Sequence, residues 1–223
     1  MNDHLICFII CTNNELFLQE CTIYINNLYV PEGFAIDIIT IKEARSMTAG
    51  YNAAMKASDA KYKIYMHQDV FILNRYFLVN LINIFHFNEN IGMIGMVGAP
   101  KLDKEAIMWN VYRVGKVISD STIHTTYESE LWNAEIPVYS VHAIDGLLMA
   151  TSVDIPWRED VFDGWDFYDM SQSMEFIRRG YLLVVPEQNL PWCLHDDGKV
   201  LSLFNFNHYR KKFINEYKDE YLR

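Results

Sequence analysis

The sequence predicts an α/β protein with a mixed, mostly parallel central sheet flanked by helices. Over the first hundred residues, short apolar runs alternate with amphipathic stretches, the rhythm of parallel strands joined by crossover helices. Of the 223 residues, 51% are hydrophobic and 14% aromatic, enough for one well-buried domain and too many for a disordered chain.

Leu5 to Cys11 reads as the first strand, and Asn13 or Asn14 can cap a helix running to about Asn27. Ala35 to Ile41 is a second strand; Ser46 can cap the next helix, through Ala57. Tyr62 to Asp69 is the third strand, followed by a helix from about Asn74 to Phe87. Ile91 to Val97 is apolar but interrupted by Gly92 and Gly95, with Gly98 just beyond. After Pro100 the texture changes. Met108 to Ser119 and Val138 to Thr151 alternate like strands of a mixed sheet, and the stretch 120–137 between them reads as a polar, irregular loop. Phe167 to Arg179 is a helix stopped by Gly180, Tyr181 to Val185 a strand, and Pro191 to Gly198 a short turn. The chain is therefore expected to be a single domain, with a nucleotide-binding half at 1–100, a second half at 101–200 and a C-terminal helix within 201–223.

A net charge of −10 argues against nucleic-acid binding through a broad basic surface. An anionic ligand would need a metal, helix amides or a few local cations. Cys7, Cys11, Cys21 and Cys193 form neither a CxxC pair nor a disulfide framework, so reduced core thiols are expected. The amino-terminal apolar run is too short to span a membrane and lacks a basic leader, which makes a cytoplasmic location the expectation. Tyr209, Phe213, Tyr217 and Tyr221, spaced four apart, make one helical stripe. Packing on the domain is its favoured role; docking to a partner or to the inner face of the membrane is the alternative.

Three clusters carry candidate chemistry. In KYKIYMHQDVFI a strand ends on His67, Gln68 and Asp69 and delivers His67 and Asp69, two residues apart, to one side at its carboxyl end. Open α/β sheets bind ligands at that edge. An imidazole and a carboxylate there can hold a divalent cation, and a cation can hold a phosphate. A strand-end Asp that caps the following turn explains Asp69 equally well. In FDGWDFYDMSQSMEFIRRGY, Asp166 and Asp169 fall in a first helical turn beside Trp165, Phe167 and Tyr168, with Asp163 just ahead. Capping by these acids is the plain explanation, and tuning of Asp169 toward general-base duty by its apolar neighbours is the sharper one. In PWCLHDDG, His195 lies beside Asp196 and Asp197 after an apolar strand, a better metal candidate than a lone histidine. Asp145 is a charge inside the otherwise apolar AIDGLLMA, and Gly146 permits close backbone approach, so these two read as a bulge or as the floor of a ligand site. Trp165 or Trp192 can stack on a sugar ring or pack in the core. Asn52, in TAGYNAAMKAS, is by itself a polar helix residue.

Taken in order, CTNNE, AGYNAAM, KYKIYMHQDV, IDGLLMA, FDGWDFYDMSQSMEFIRRGY and PWCLHDDG resemble the landmark series of family 2-like glycosyltransferases of the GT-A fold. The similarity covers about residues 5–198 and is greatest to a bacterial subgroup whose metal motif reads His-Gln-Asp instead of Asp-x-Asp. The resemblance implies that Thr12, Asn13 and Glu15 contact the nucleotide, that Asn52, His67 and Gln68 belong to the donor site, and that Asp69 and His195 ligate the cation on the diphosphate. His67 stands where the first Asp would be and is either a third ligand or a donor contact. Asp145 and Gly146 fall where donor sugar and acceptor meet, with Trp165, Asp166 and Trp192 assigned to that pocket. Asp169 matches the catalytic base, and Tyr168 replaces its usual Glu neighbour.

The implied activity is a metal-dependent, inverting transfer of a sugar from a nucleotide-sugar donor to a hydroxyl on a glycan, lipid-linked or protein acceptor, as in polysaccharide biosynthesis. Mn2+ or Mg2+ suits oxygen ligands plus phosphates, and an imidazole tilts the choice toward Mn2+. Two other classes compete: a nucleotide-sugar-binding module without catalysis, and a metal-dependent hydrolase built on His67, Asp69 and His195.

Overall fold

The computed structural model of the chain describes residues 1–119, 123–124, 136–196, 198 and 203–222. Its first half alternates β1 (Asn2–Thr12), α1 (Glu15–Asn26), β2 (Ala35–Lys42), α2 (Met47–Ala57), β3 (Ala60–His67), β4 (Val70–Ile72), α3 (Phe77–Phe87), β5 (Ile91–Gly95) and β6 (Val97–Ala99). The second half carries β7 (Val114–Val117), β8 (Ile123–His124), β9 (Val138–Val141), β10 (Ala143–Ile144), β11 (Leu148–Thr151), α4 (Tyr168–Arg178), β12 (Leu182–Pro186), β13 (Cys193–His195) and α5 (Phe206–Tyr221).

Among the described residues the central sheet has seven strands in the order β2-β1-β3-β11-β5-β12-β9. β1 runs parallel to both β2 and β3, and β12 parallel to β5, whereas β11 and β9 run against their neighbours. β1 takes an interior place because its run Ile6 to Ile10 is apolar on both faces and buried. The strand period of two sends Ile6, Phe8 and Ile10 into a core shared with α1 and α3, and Cys7, Ile9 and Cys11 into one shared with α2 and α4. All four cysteines are buried free thiols. A four-stranded sheet, β10-β6-β7-β8, and the hairpin-like pair β13-β4 complete the framework.

Both caps expected in the first half form. The Asn14 side chain accepts the Leu16 amide at 3.0 Å, and Ser46 Oγ accepts the Ala49 amide at 3.1 Å. α3 begins later than expected, because Asn74 spends its side chain on the Tyr76 amide in a turn of its own.

Past β3 the sequence expectations need correction. The third strand ends at His67; Gln68 and Asp69 turn, and β4 leaves the central sheet to pair antiparallel with β13. The segment expected as a turn at 191–198 thus contains a strand. Ile91–Val97 divides between the two larger sheets at Met96. Met108–Ser119 contains a single 3-10 turn at Met108–Asn110 followed by β7. Val138–Thr151 breaks into β9, β10 and β11, so Asp145 and Gly146 lie in a turn, where Asp145 Oδ1 accepts the Leu147 amide at 3.1 Å. Apolar alternation is the same in one long strand as in three short ones, so only the pairing partners distinguish them. The loop read at 120–137 falls mostly outside the described residues, as does Asp197.

α4 starts at Tyr168, one residue later than expected, because Phe167 adopts a left-handed conformation with φ of 62°. That backbone is costly for a residue with a Cβ, and Phe167 is held in it by packing on Phe206 and Phe213 of α5. The helix closes at Gly180, whose φ of 81° suits a residue without a side chain. On α5, the stripe Tyr209, Phe213, Tyr217 and Tyr221 is buried against Phe162, Phe167, Met170 and Met174. The buried Glu175 carboxylate fastens the two helices by accepting Tyr217 Oη at 3.0 Å, while Arg178 and Arg179 pair with it at 3.0 and 2.7 Å. The stripe therefore packs inward, and among the described residues no helix is long and apolar enough to cross a membrane.

Phe213 is fully buried. Replacing it by Ala is expected to lower stability by about 3–5 kcal/mol, read as an earlier urea midpoint; an unchanged midpoint would mean that α5 does not pack as described.

Candidate functional site

Parallel strands deliver all their carboxyl ends to one edge, and here β1, β2 and β3 open there onto a cleft of about 280 Å3. Cys11, Thr12 and Asn13 line it from β1 and its loop, Ile41, Glu43 and Ala44 from β2 and beyond, and His67, Gln68 and Asp69 from the turn after β3. Met47 closes one side and the half-exposed Trp165 another. None of these lining residues is Lys or Arg.

At the cleft three donor groups converge. The antiparallel register of β13 with β4 sets His195 opposite Val70, and the Asp196 amide donates to the Asp69 carbonyl at 2.9 Å. His195 Nε2 consequently lies 3.5 Å from Asp69 Oδ1 and 3.4 Å from His67 Nδ1, and His67 Nδ1 lies 4.0 Å from Asp69 Oδ1. All three offer one donor atom within 4.8 Å of the others. Asp69 Oδ1 is buried and has no hydrogen-bond partner among the described residues. A buried carboxylate oxygen without a hydrogen bond is a costly arrangement that a cation would relieve. Burial would raise the Asp69 carboxyl, but the two imidazoles and its own amide outweigh that and hold it below the usual range. Burial, and then the neighbouring His195, push His67 below the ordinary histidine value, which favours the neutral ring that metals bind. The donor set thus fits a divalent ion: two imidazole nitrogens and one carboxylate suit Mn2+ and other transition metals at least as well as Mg2+.

Gln68 works as a scaffold. Its Oε1 accepts Thr12 Oγ1 at 2.8 Å and the Asn13 and Asn14 amides at 3.0 and 2.9 Å, and its Nε2 donates to Asn13 Oδ1 at 2.7 Å. One side chain therefore shapes the loop that carries Thr12 and Asn13. Glu15 points elsewhere, into an ion pair with Lys42. Asn52 is buried away from the cleft, where Oδ1 accepts the Trp157 amide and Nδ2 donates to the Trp157 carbonyl, both at 2.9 Å. Together with Thr48 Oγ1 donating to the Phe162 carbonyl at 2.6 Å, this clamp fastens α2 to the segment leading into α4.

Behind His67 lies a second group. Tyr168, at the start of α4, is buried with its hydroxyl 2.5 Å from His67 Nε2. Burial keeps this phenol neutral, with a pKa well above the ordinary tyrosine value. The next residue, Asp169, accepts the Gly146 amide on Oδ2 at 3.0 Å. Burial, reinforced by the Asp145 carboxylate, pushes Asp169 up to about 7, although the Met170 and Gly146 amides pull the other way. Gly146 leaves room for the Tyr168 hydroxyl, which a Cβ at that position would crowd. Asp166 precedes the helix and does not share a turn with Asp169; burial raises its carboxyl as well. Trp192 is buried edge-on to Phe77 in the α1/α3 core.

Glu43, Ile41, Ala44 and Met47 line the cleft and escaped sequence reading. Their signal was positional, since the end of any parallel strand beside β1 must border the same edge. Glu43 also adopts a left-handed φ of 56°, which no sequence pattern announces.

A family model described as a glycosyltransferase-like family matches residues 7–217, and the chain belongs to that family. Among solved structures, the mannosyltransferase PcManGT from Pyrobaculum calidifontis, in complex with GDP-Man and Mn2+, is similar with a TM-score of 0.60 at 12% identity, over 96% of this chain and 64% of that one. TarS 1–349 of S. aureus in complex with UDP gives 0.59 at 10% identity, over 95% and 64%. GalNAc-T7 with UDP, GalNAc and Mn2+ gives 0.57 at 11% identity, over 99% and 49%. The chain thus spans less than two thirds of the length of these proteins, and at such identities the likeness carries the fold, which is GT-A. No curated protein matches the chain.

The Asn52 clamp has a measurable consequence. Asn52→Ala leaves a buried amide and carbonyl of Trp157 without these partners and is expected to lower stability by about 1–3 kcal/mol. Mn2+ binding, followed by calorimetry, should be unchanged; loss of binding with unaltered stability would return Asn52 to the ligand site.

Proposed function

We propose that the protein is a metal-dependent glycosyltransferase that moves a sugar from a nucleotide-sugar donor to an acceptor hydroxyl with inversion at the anomeric carbon. The observation that carries this reading is the convergence of His67, Asp69 and His195 at a cleft bordered by the carboxyl ends of β1, β2 and β3 and lined by no Lys or Arg. A diphosphate entering that cleft meets no Lys or Arg among these lining residues, and a cation held by the three donors would supply the positive charge. The relatives solved with GDP-Man, UDP and Mn2+ support the same ligand classes.

Thr12 and Asn13, on the loop shaped by Gln68, would contact the nucleoside, with Trp165 offering a ring face beside it. Asp69, His195 and His67 would hold Mn2+ or Mg2+. When bound, the cation neutralises charge on the departing diphosphate as a Lewis acid. Asp169 would take the proton of the acceptor hydroxyl as that oxygen attacks the anomeric carbon from the face opposite the leaving group. A carboxyl with a pKa of about 7 is a better proton acceptor near neutral pH than one at the ordinary 3.8. Its hydrogen bond from the Gly146 amide fixes the position of Oδ2. In this reading residues 1–100 serve the donor and 101–200 complete the acceptor and catalytic side.

Three outcomes test this. Asp169→Asn should abolish sugar transfer while retaining nucleoside diphosphate binding; full turnover by the folded variant removes Asp169 from the role of base. The base acts when ionised, so transfer should rise as pH increases through about 7 and level off above it. Asp145→Asn removes the negative neighbour that helps raise Asp169, and the rising limb of kcat/KM against pH should move to lower pH. The linked stability effect has the opposite direction. Because the folded pKa lies above 3.8, this group favours the folded state most below pH 3.8 and loses that contribution as pH rises to about 7.

A further inference from the structure

We propose that Tyr168 is a positioning residue for the cation, its phenol oxygen accepting the Nε2 proton of His67 so that the Nδ1 lone pair faces Asp69 and His195. This rests on reading His67, Asp69 and His195 as a metal site.

A neutral imidazole carries one proton, and which nitrogen holds it is set by what each nitrogen faces. His67 Nδ1 faces His195 Nε2 at 3.4 Å and Asp69 Oδ1 at 4.0 Å, whereas Nε2 faces the Tyr168 hydroxyl, at 2.5 Å, as its one hydrogen-bonding contact among the described residues. Were the phenol to donate to Nε2, the ring proton would sit on Nδ1 and point into the donor cluster, leaving no lone pair there for an ion. Ligation by Nδ1 therefore requires a proton on Nε2 and an acceptor for it. Metal-bound histidines nearly always donate their second N–H in this manner, and losing the acceptor typically costs tenfold or more in affinity.

The surroundings hold the phenol to this task. Its ring is buried against Tyr51 and Trp157, with centroids 6.0 and 6.2 Å away, and sits on the first turn of α4. Gly146 leaves the space into which the hydroxyl projects. The left-handed Phe167 immediately before sets the angle at which the helix begins. Tyr168 also adjoins Asp169, so one helical turn would place both the metal-side imidazole and the proton acceptor of the reaction.

The test is a double-mutant cycle on Mn2+ affinity, measured from the electron paramagnetic resonance signal of the free ion, with thermal midpoints as the control for folding. Tyr168→Phe keeps the ring and its packing and is expected to weaken Mn2+ binding by about tenfold. In a His67→Ala background the same substitution should have no further effect, because its route to the ion is gone. Should Tyr168→Phe not fold, Gly146→Ala crowds the hydroxyl without altering either ring and is expected to weaken Mn2+ binding in the same direction. Equal affinity in Tyr168→Phe and the unsubstituted chain, or an equal loss with and without His67, overturns the positioning role. Absence of Mn2+ binding by the unsubstituted chain overturns the metal reading, and this inference with it.

Discussion

The site depends on β11 entering the sheet antiparallel between β3 and β5. After β5 the chain builds the second sheet with β6, β7 and β8, returns to the edge of the central sheet as β9, adds β10 to the second sheet, and then enters against β3 with Leu148 opposite Met66. Because β11 runs against β3, its amino-terminal end meets the carboxyl end of β3. The Asp145–Gly146 turn thus arrives beside His67, whose amide donates to the Leu147 carbonyl at 3.0 Å. A parallel strand in that place would have sent the turn to the opposite edge of the sheet. Everything behind the imidazole follows: Gly146 receives the Tyr168 hydroxyl, and its amide holds Asp169.

Much of the polar chemistry near the cleft serves rigidity. Gln68 accepts three hydrogen bonds from the β1–α1 loop, and Asn52 closes a pair of bonds on Trp157. Both look like ligand contacts in a linear reading, since amide side chains beside a binding edge are common in sites. Here they satisfy buried or bent backbone that would otherwise lack partners, and they leave the facing groups little freedom. A site whose donors must hold within a fraction of an ångström needs such support.

The charge of the chain sharpens the demand on the cluster. At −10 overall, and with no Lys or Arg lining the cleft among the described residues, the protein offers an anionic ligand little long-range attraction. Several of its cations are used elsewhere: Lys63 is buried on Asp154, and Arg158, Arg178 and Arg179 serve the Glu175 and Glu216 carboxylates between α4 and α5. Two imidazole ligands and one carboxylate would leave a bound divalent ion with a net positive character toward phosphate, which three carboxylates would cancel.

The sequence by itself determined the order of elements through β3, the caps at Asn14 and Ser46, the inward stripe on α5 and the standing of His67, Asp69 and His195, in two separate clusters, as chemistry-bearing groups. These are local facts: apolar period, a capping oxygen at the right offset, an imidazole at the end of a strand. Only the tertiary structure decided that Val138–Thr151 is three strands, that Asp69 lies in a turn, that Asn52 and Trp192 belong to the core, and that Tyr168 meets His67. Each of these depends on which backbone pairs with which, or on an approach between residues about a hundred positions apart. A side chain's nearest neighbours along the chain carry no record of such pairings, because alternation and polarity look the same whichever partner the strand finds.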